Sequence, residues 1–463
     1  MRYDHHRPGR FDRLRNLETQ VGIASAPRAP ADGQVFGLKT RIECYDRSQS
    51  VGGVVRFRSE VRPIFDPIRS DPNFVPRRKF MSLRKHAIPA VLGAAILTTG
   101  PAFGGGDDDV IASGLVLPIG LESDAGGRLW VSELGVNPKG PTAPGIGRVS
   151  MLAANLDGSF TLVPLIENIQ TAFNAMGEPS GAHHISFAPD GSLLLATGGP
   201  NVPGAFPYLG SIVRFDPSYT VLAAGPYAID GAAMIESVPV FPFVRQEAGF
   251  PDSNTYSAAE IDGVLWIVDA GANAVITYDG TDYAVLAEFP NTVNPKGTTP
   301  PTSQAVPTRI VPDGDGGAYV VQLTGFPFVD GAASVFRLSA DGSYTAVATG
   351  LKTLVDIEVA ADGSLLVCSA GDFDPATGQP APGTGSVIRV RQDGSFDTFI
   401  GGLWLPTGVE VIGDDVYVCQ FVPGTVTRYP GIAPRPCPGD LNHDGVVNGA
   451  DMGLLLGYWG SCF

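Results

Sequence analysis

Short apolar runs recur along the middle of the chain, each entered through a Gly- or Asp-containing turn and followed by a polar residue. One phrase is a turn and a strand: Gly126-Gly-Arg-Leu-Trp-Val131, Asp190-Gly-Ser-Leu-Leu-Leu195, Asp262-Gly-Val-Leu-Trp-Ile267, Asp315-Gly-Gly-Ala-Tyr-Val320, Asp362-Gly-Ser-Leu-Leu-Val367 and Gly413-Asp-Asp-Val-Tyr-Val418. A second phrase follows each copy: Gly147-Arg-Val-Ser-Met151, Gly210-Ser-Ile-Val-Arg-Phe215, Ala272-Asn-Ala-Val-Ile-Thr-Tyr278, Ala333-Ser-Val-Phe-Arg-Leu338, Gly385-Ser-Val-Ile-Arg-Val390 and Gly424-Thr-Val-Thr-Arg-Tyr429. Val131 and Val418 lie five repeats apart, a mean period of about 57 residues. Short β-branched runs joined by Asp-Gly turns signal hairpins. A unit of that size cannot bury its own apolar face, so the copies must stack. Six units predict an all-β chain, a six-bladed β-propeller with four-stranded blades over residues 110–430. A β-sandwich is the rival architecture, and the long period excludes a β-helix. Pro118-Ile-Gly, Pro179-Ser-Gly, Pro307-Thr-Arg and Pro406-Thr-Gly are expected where innermost strands begin.

The front of the chain departs from this pattern. Residues 1–80 carry 14 Arg and 2 Lys against 9 acidic residues, about +7, which leaves about −23 for the rest of a chain of net charge −16. A basic arm for nucleic acid is one reading. The stretch 81–106 offers another. It has a charged start (Met81-Ser-Leu-Arg-Lys-His), an apolar run (Ala87 to Thr99) and a small-residue exit, the form of a secretory signal. Signals begin chains, so residues 1–80 read as a non-native or disordered leader and Met81 as the initiator. The apolar run is too short to span a bilayer comfortably. The expectation is a secreted, periplasmic or cell-envelope bacterial protein. Its acidic mature chain has no membrane span and does not bind nucleic acid.

The last 27 residues carry the clearest chemistry. Asp440, Asn442, Asp444, Asn448 and Asp451 occupy positions 1, 3, 5, 9 and 12 of a twelve-residue loop, with Gly445 at position 6. Ca²⁺ takes six to eight oxygens, and this spacing wraps one loop around it, with the Val446 carbonyl as a main-chain ligand. Val447 is expected to point into a small core, and Met452 to Trp459 to form a short apolar helix. Cys437 and Cys462 bracket the module and offer a disulfide that would close it. The Asp at position 12 and the Val-Asn at positions 8 and 9 resemble the dockerin calcium repeat. Dockerins usually carry two such repeats and bind cohesin modules; one is present here, over 437–463. The resemblance implies Ca²⁺ and a cohesin-like or cell-envelope partner.

Ala112-Ser-Gly-Leu115, Pro118-Ile-Gly-Leu121, Leu129-Trp-Val-Ser-Glu-Leu-Gly135, Ser253-Asn254, Val268-Asp-Ala-Gly-Ala-Asn273, Val306-Pro-Thr308 and Leu323-Thr-Gly-Phe-Pro-Phe328 together resemble the ScyD/ScyE family of exported propellers. That resemblance implies a propeller over about 110–430 and supplies no catalytic residues.

Glu133, Thr197, Asp269, Gln322, Ser369 and Gln420 each stand two residues past an apolar run. If those runs are inner strands, the column rings the axial channel, and Glu133, Asp269 and Gln322 could hold a cation. The alternative is that polar residues simply cap strand ends. Cys368 and Cys419 fall at equivalent places in adjacent repeats, as a blade-to-blade disulfide or as two buried thiols. His183-His184 is a ligand or base candidate, or a satisfied loop pair. Arg148, Arg214, Arg337, Arg389 and Arg428 recur at one strand position and suggest pairing with carboxylates between blades. Phe206, Tyr208, Phe241 and Phe243 sit in long Gly/Pro loops, as a glycan-stacking surface or as loop packing. No hydrolase, phosphate-loop or dinucleotide motif is present. The catalytic set is unknown. The function expected is a non-enzymatic binding propeller for a small-molecule or glycan ligand with an attachment tail. The alternative is an extracellular hydrolase or lactonase associated with polysaccharide degradation.

Overall fold

The computed structural model describes residues 109–135, 147–173, 179–199, 208–216, 226–231, 233–374, 378–441, 447–457 and 459. Six sheets are arranged as blades, antiparallel throughout except that Tyr227–Ala228 adds parallel to the outer strand of blade 1. Blade 1 comprises Pro118–Ser123, Leu129–Glu133, Gly147–Ala154 and Phe160–Ile169. Blade 2 comprises Ala182–Phe187, Leu193–Thr197, Ser211–Phe215 and Met234–Pro239. Thr255–Ile261, Val264–Asp269, Ala274–Tyr278 and Tyr283–Glu288 make blade 3. Pro307–Pro312, Ala318–Gln322, Ala333–Leu338 and Tyr344–Leu351 make blade 4. Blade 5 is Leu354–Val359, Leu365–Ser369, Gly385–Val390 and Phe396–Leu403.

Blade 6 is built from both ends of the repeat region. Pro406–Ile412, Asp415–Gln420 and Thr425–Tyr429 supply three strands, and Asp109–Ser113 pairs antiparallel with Thr425–Tyr429 as the fourth. The inner strands touch one another in a closed cycle from blade 1 through blade 6 and back. The chain is therefore an all-β, six-bladed β-propeller.

The first recurring phrase forms the second strand of every blade, not the innermost; the innermost strand is the proline-led phrase in blades 1, 4 and 6. The second strands are buried on both faces because neighbouring blades sandwich them, which explains their unbroken apolar runs. The core is divided among blade interfaces. Trp130, Ile166, Ile185, Leu195 and Phe215 pack between blades 1 and 2, and Val268, Val275, Ile310 and Val320 between blades 3 and 4.

Tight inter-blade approach fixes some small residues. A Cβ on Gly120 would stand 2.7 Å from Ser132 Oγ and 3.0 Å from the His184 Cα, and one on Gly408 would stand 2.7 Å from the Leu121 Cβ. Beyond blade 6 the described tail contains one helix, Gly449–Gly457. Val447 is exposed, although its methyls lie 3.2 Å from where a Cβ on Gly439 would stand, so the expected core below it is minimal. Among the described residues no helix is long and apolar enough to cross a membrane. The leader and signal expected over residues 1–80 and 81–106 lie outside the described residues.

Candidate functional site

Each inner strand begins at one face of the ring, here the entry face, and the polar column lies at that face, at the end of the second strands. Pro118 pairs with Glu133, Ala182 with Thr197, Thr255 with Asp269, Pro307 with Gln322, Leu354 with Ser369 and Pro406 with Gln420. Immediately after the column a main-chain N–H donates to the residue before the inner strand in all six blades: Leu134 to Leu117, Gly198 to Gly181, Ala270 to Asn254, Leu323 to Val306, Ala370 to Thr353 and Phe421 to Leu405. Leu117, Val306, Thr353 and Leu405 take positive φ to present that carbonyl.

The column's oxygens act on the same turns. Glu133 accepts from Val116 N and from the Arg148 guanidinium. Asp269 accepts from Ser253 Oγ, Asn254 N and Ala272 N, and burial nonetheless raises its carboxyl above the ordinary range. Gln420 accepts from Trp404 N, and Thr197 and Ser369 donate to main-chain carbonyls. The condition for the axial-cation reading, that the column sits on inner strands, is not met. Among the described residues no group of three or more His, Cys, Asp or Glu is placed to hold a metal.

Of the site at the axis itself, the sequence marks only His183-His184, which lie on the inner strand of blade 2 and not in a loop. One level of the inner strands carries Gly120, His184, Ser257, Arg309, Asp356 and Gly408. Two residues on, the level reads Glu122, Ser186, Ala259, Val311, Glu358 and Glu410. Arg309 of blade 4 crosses the ring. Its guanidinium bonds Glu122 of blade 1 and the Ile185 carbonyl of blade 2, and its Nε lies 3.2 Å from Asp356 Oδ1 of blade 5. His184 Nδ1 stands 3.8 Å from the same Asp356 oxygen, and the Tyr256 ring packs on His183 and His184. Glu122 and Asp356 thus hold one guanidinium at the axis, with the half-buried Glu358 and the buried Glu410 close by.

Burial dominates the titration there. It pushes Asp356 up to about 7 despite Arg309, and Glu358 up to about 8 with help from the nearby Glu122 charge. Glu410 is raised well above the ordinary range by burial and then by Glu358, and Glu122 is raised by burial against the pull of Arg309. Burial lowers His183 to about 4, and burial followed by the Arg309 charge holds His184 well below the usual range, so both imidazoles are neutral at pH 7.

A belt of side chains stitches each blade to the next near the axis. Ser132 donates to the His183 carbonyl, His183 Nδ1 to Thr255 O, Ser257 to Thr308 O, Thr308 to Leu354 O, and Thr407 to Pro118 O. Between blades 5 and 6, Asp356 Oδ2 accepts from Val409 N. His183 and Asp356 therefore have places in the belt as well as at the core.

Other expectations need correction. Cys368 and Cys419 are free, buried thiols: each is shut in its own second strand, and burial raises both above the ordinary thiol range. Cys437 is a free, exposed thiol, while Cys462 lies outside the described residues. Four of the five arginines share one position, at the face opposite the entry, and pair mainly with aspartates of their own blade: Arg337 with Asp313 and Asp315, Arg389 with Asp362, Arg428 with Asp415. Arg214 also bridges to Glu260 of blade 3. Arg148 sits at the entry end with Glu133, because it stands three places earlier in its strand.

Of the loop aromatics, Phe243 stacks on Tyr283, Phe241 covers Gly210 and Tyr208 packs on the first core; Phe206 is outside the described residues. Instead Phe326, Phe328 and Phe373 form a cluster on entry-face loops of blades 4 and 5, with Phe326 exposed.

In the tail, Asp440 and Asp451 are buried. Asp451 accepts from Leu441 N and Asn448 N, and Asn448 Oδ1 accepts from Ala450 N. The last position of the loop is thus tied to its start and to position 9. Asn442, Asp444 and Val446 lie outside the described residues.

No family model and no curated relative matches the chain. Among solved structures it is similar to a streptogramin B lyase, at 10% identity over 69% of this chain and 96% of that one, with a TM-score of 0.40. It is also similar to the PQQ-bound aldose sugar dehydrogenase from Streptomyces coelicolor, at 13% identity over 70% and 98%, with a TM-score of 0.44. Virginiamycin B lyase from Staphylococcus aureus gives 13% identity over 69% and 97%, with a TM-score of 0.39. The assignment to the six-bladed propellers rests on the strand topology above, and likenesses this distant carry no function across.

Proposed function

We propose that the chain is an exported binding protein in which the propeller presents a small-molecule or glycan surface and a calcium-clasped C-terminal module provides attachment to a cohesin-like or other cell-envelope protein. The observation that carries this reading is the tail. The helix Gly449–Gly457 buries only Asp451 and exposes Met452, Leu454, Leu455 and Leu456, with Trp459 exposed just beyond it. Apolar surface left open on so small a module is surface for a partner. Asp440 and Asp451, at the first and last positions of the loop, are both buried, as the ends of a loop folded around a cation would be. Asp440, Asn442, Asp444, the Val446 carbonyl, Asn448 and Asp451 would hold Ca²⁺, which would fix the loop and hence the angle at which the helix is displayed.

Titration calorimetry of the chelator-treated full chain tests this. One Ca²⁺ should bind with measurable heat, and Asp440→Ala should abolish it. Absence of heat in the wild type would refute the attachment reading. A second reading, a hydrolase or lactonase, draws on the proton-holding Asp356 and Glu358, since raised carboxyls serve as general acids. Lactone turnover that survives in Asp356→Asn would dispose of it.

A further inference from the structure

The axial carboxyls are distributed unevenly. Glu358, Glu410 and Glu122 occupy one level on blades 5, 6 and 1, while the same level of blades 2, 3 and 4 holds Ser186, Ala259 and Val311. The acidic half-ring is thus centred on blade 6, the blade assembled from both ends of the repeat region. Glu410 receives Ser123 Oγ of blade 1, and Glu358 meets Glu122 and Asp356 as like charges. Arg309 is committed to Glu122 and Asp356. A second observation points the same way. His184 is fully buried, yet neither ring nitrogen makes a well-formed hydrogen bond, and its Nδ1 is turned toward Asp356 Oδ1, which also lacks one. Arg309 Nε, a donor 3.2 Å from the same oxygen, is likewise without a well-formed bond, so like charges and unpaired polar atoms share this core.

We propose that this half-ring is an alkaline release for the closing blade: with Glu358 and Glu410 protonated, blade 6 seats between blades 5 and 1, and when they ionise it is driven from both neighbours and Asp109–Ser113 leaves first.

The sign follows from where the protons sit. Glu358 and Glu410 titrate higher in the closed ring than in an open chain. The closed state therefore holds protons that the open state has lost, and closure weakens as pH rises from the ordinary carboxylate range toward about 8 for Glu358. Each such group raises the opening constant by up to about tenfold per pH unit within its window. Asp356 adds to the effect up to about 7. The other groups facing the cluster do not oppose it. His183 and His184 stay neutral there, Tyr256 keeps its proton because burial raises it, and Glu260 is paired with Arg214.

Hydrogen exchange read by mass spectrometry on the full chain between pH 6.5 and 8.5, corrected for the intrinsic pH dependence of exchange, tests the device. Opening of Asp109–Ser113 and Thr425–Tyr429 should rise at least about tenfold across that window, ahead of the second strands of blades 2 to 4. In Glu358→Gln/Glu410→Gln the rise above pH 7 should disappear, leaving only the Asp356 contribution below it. An unchanged rise in the double variant overturns the proposal, as does simultaneous opening of every blade. Should the double variant fail to fold, Glu358→Gln alone must lessen the slope, and a wild-type slope there is equally fatal. Neither readout involves the tail, so the outcome is independent of the attachment reading.

Discussion

Gly120→Ala probes the closeness of blades 1 and 2. The new methyl would meet Ser132 Oγ at 2.7 Å and the backbone of His184 and Ile185 at 3.0 Å. Ser132 can turn away, but the inner strand of blade 2 cannot. Moving Ser132 sacrifices the bond from Gly120 N and the bond it donates to the His183 carbonyl, leaving two buried main-chain groups without that partner. Overpacking of this kind costs about 1–3 kcal/mol, and each deserted buried partner adds roughly 1 kcal/mol. A total of about 3–5 kcal/mol is expected, from urea or guanidinium unfolding at constant m-value. Ser132→Ala isolates the hydrogen-bond part and should cost about 1–2 kcal/mol. The double variant should cost less than the sum of the singles, because the 2.7 Å clash is gone while the backbone contacts remain. A Gly120→Ala protein within about 0.5 kcal/mol of wild type would refute the close approach of these strands.

Arg309→Met should destabilise the ring by about 3–5 kcal/mol at pH 8, because Glu122 and Asp356 lose their shared cation. The deficit should shrink in calorimetric scans at pH 5, where Asp356, raised to about 7, holds its proton. Removal of residues 1–113 should expose the edge of Thr425–Tyr429 and cause concentration-dependent association, detectable by light scattering. Native protein should show Cys437 reacting readily with a thiol reagent, whereas Cys368 and Cys419 should react only on denaturation.

The repeat was readable because its second strands are sandwiched between blades. Runs such as Leu193–Thr197 and Leu365–Ser369 stay apolar on both faces and stand out from the turns. What escaped was the axis. Glu122, Glu358 and Glu410 alternate with Leu, Ile and Val, and such alternation reads equally well as a solvent-facing edge. Counted back from the polar column, Glu122 and Glu358 each stand 11 places before it but Glu410 stands 10, so spacing alone does not align the three, and the offset of Pro179 from the true start at Ala182 hides the register in blade 2. Pro307-Thr-Arg is expected at the start of an innermost strand and lies there, but the reach of Arg309 across the ring is a property of the closed circle and of no local stretch. Arg148 misled for the converse reason, since its phrase matches by composition and not by register. The column at Glu133 and Asp269 was found, yet which strand carries it cannot be told from one chain's spacing.

Because the sixth sheet takes its outermost strand from Asp109–Ser113, the earliest-made strand of the propeller is also the last to find its place. The ribosome delivers it before the other propeller strands, and its partner Thr425–Tyr429 emerges only after the other five blades have been made. Until then the nascent chain holds an unpaired edge, so vectorial delivery favours a holding factor on that segment and penalises any delay before release.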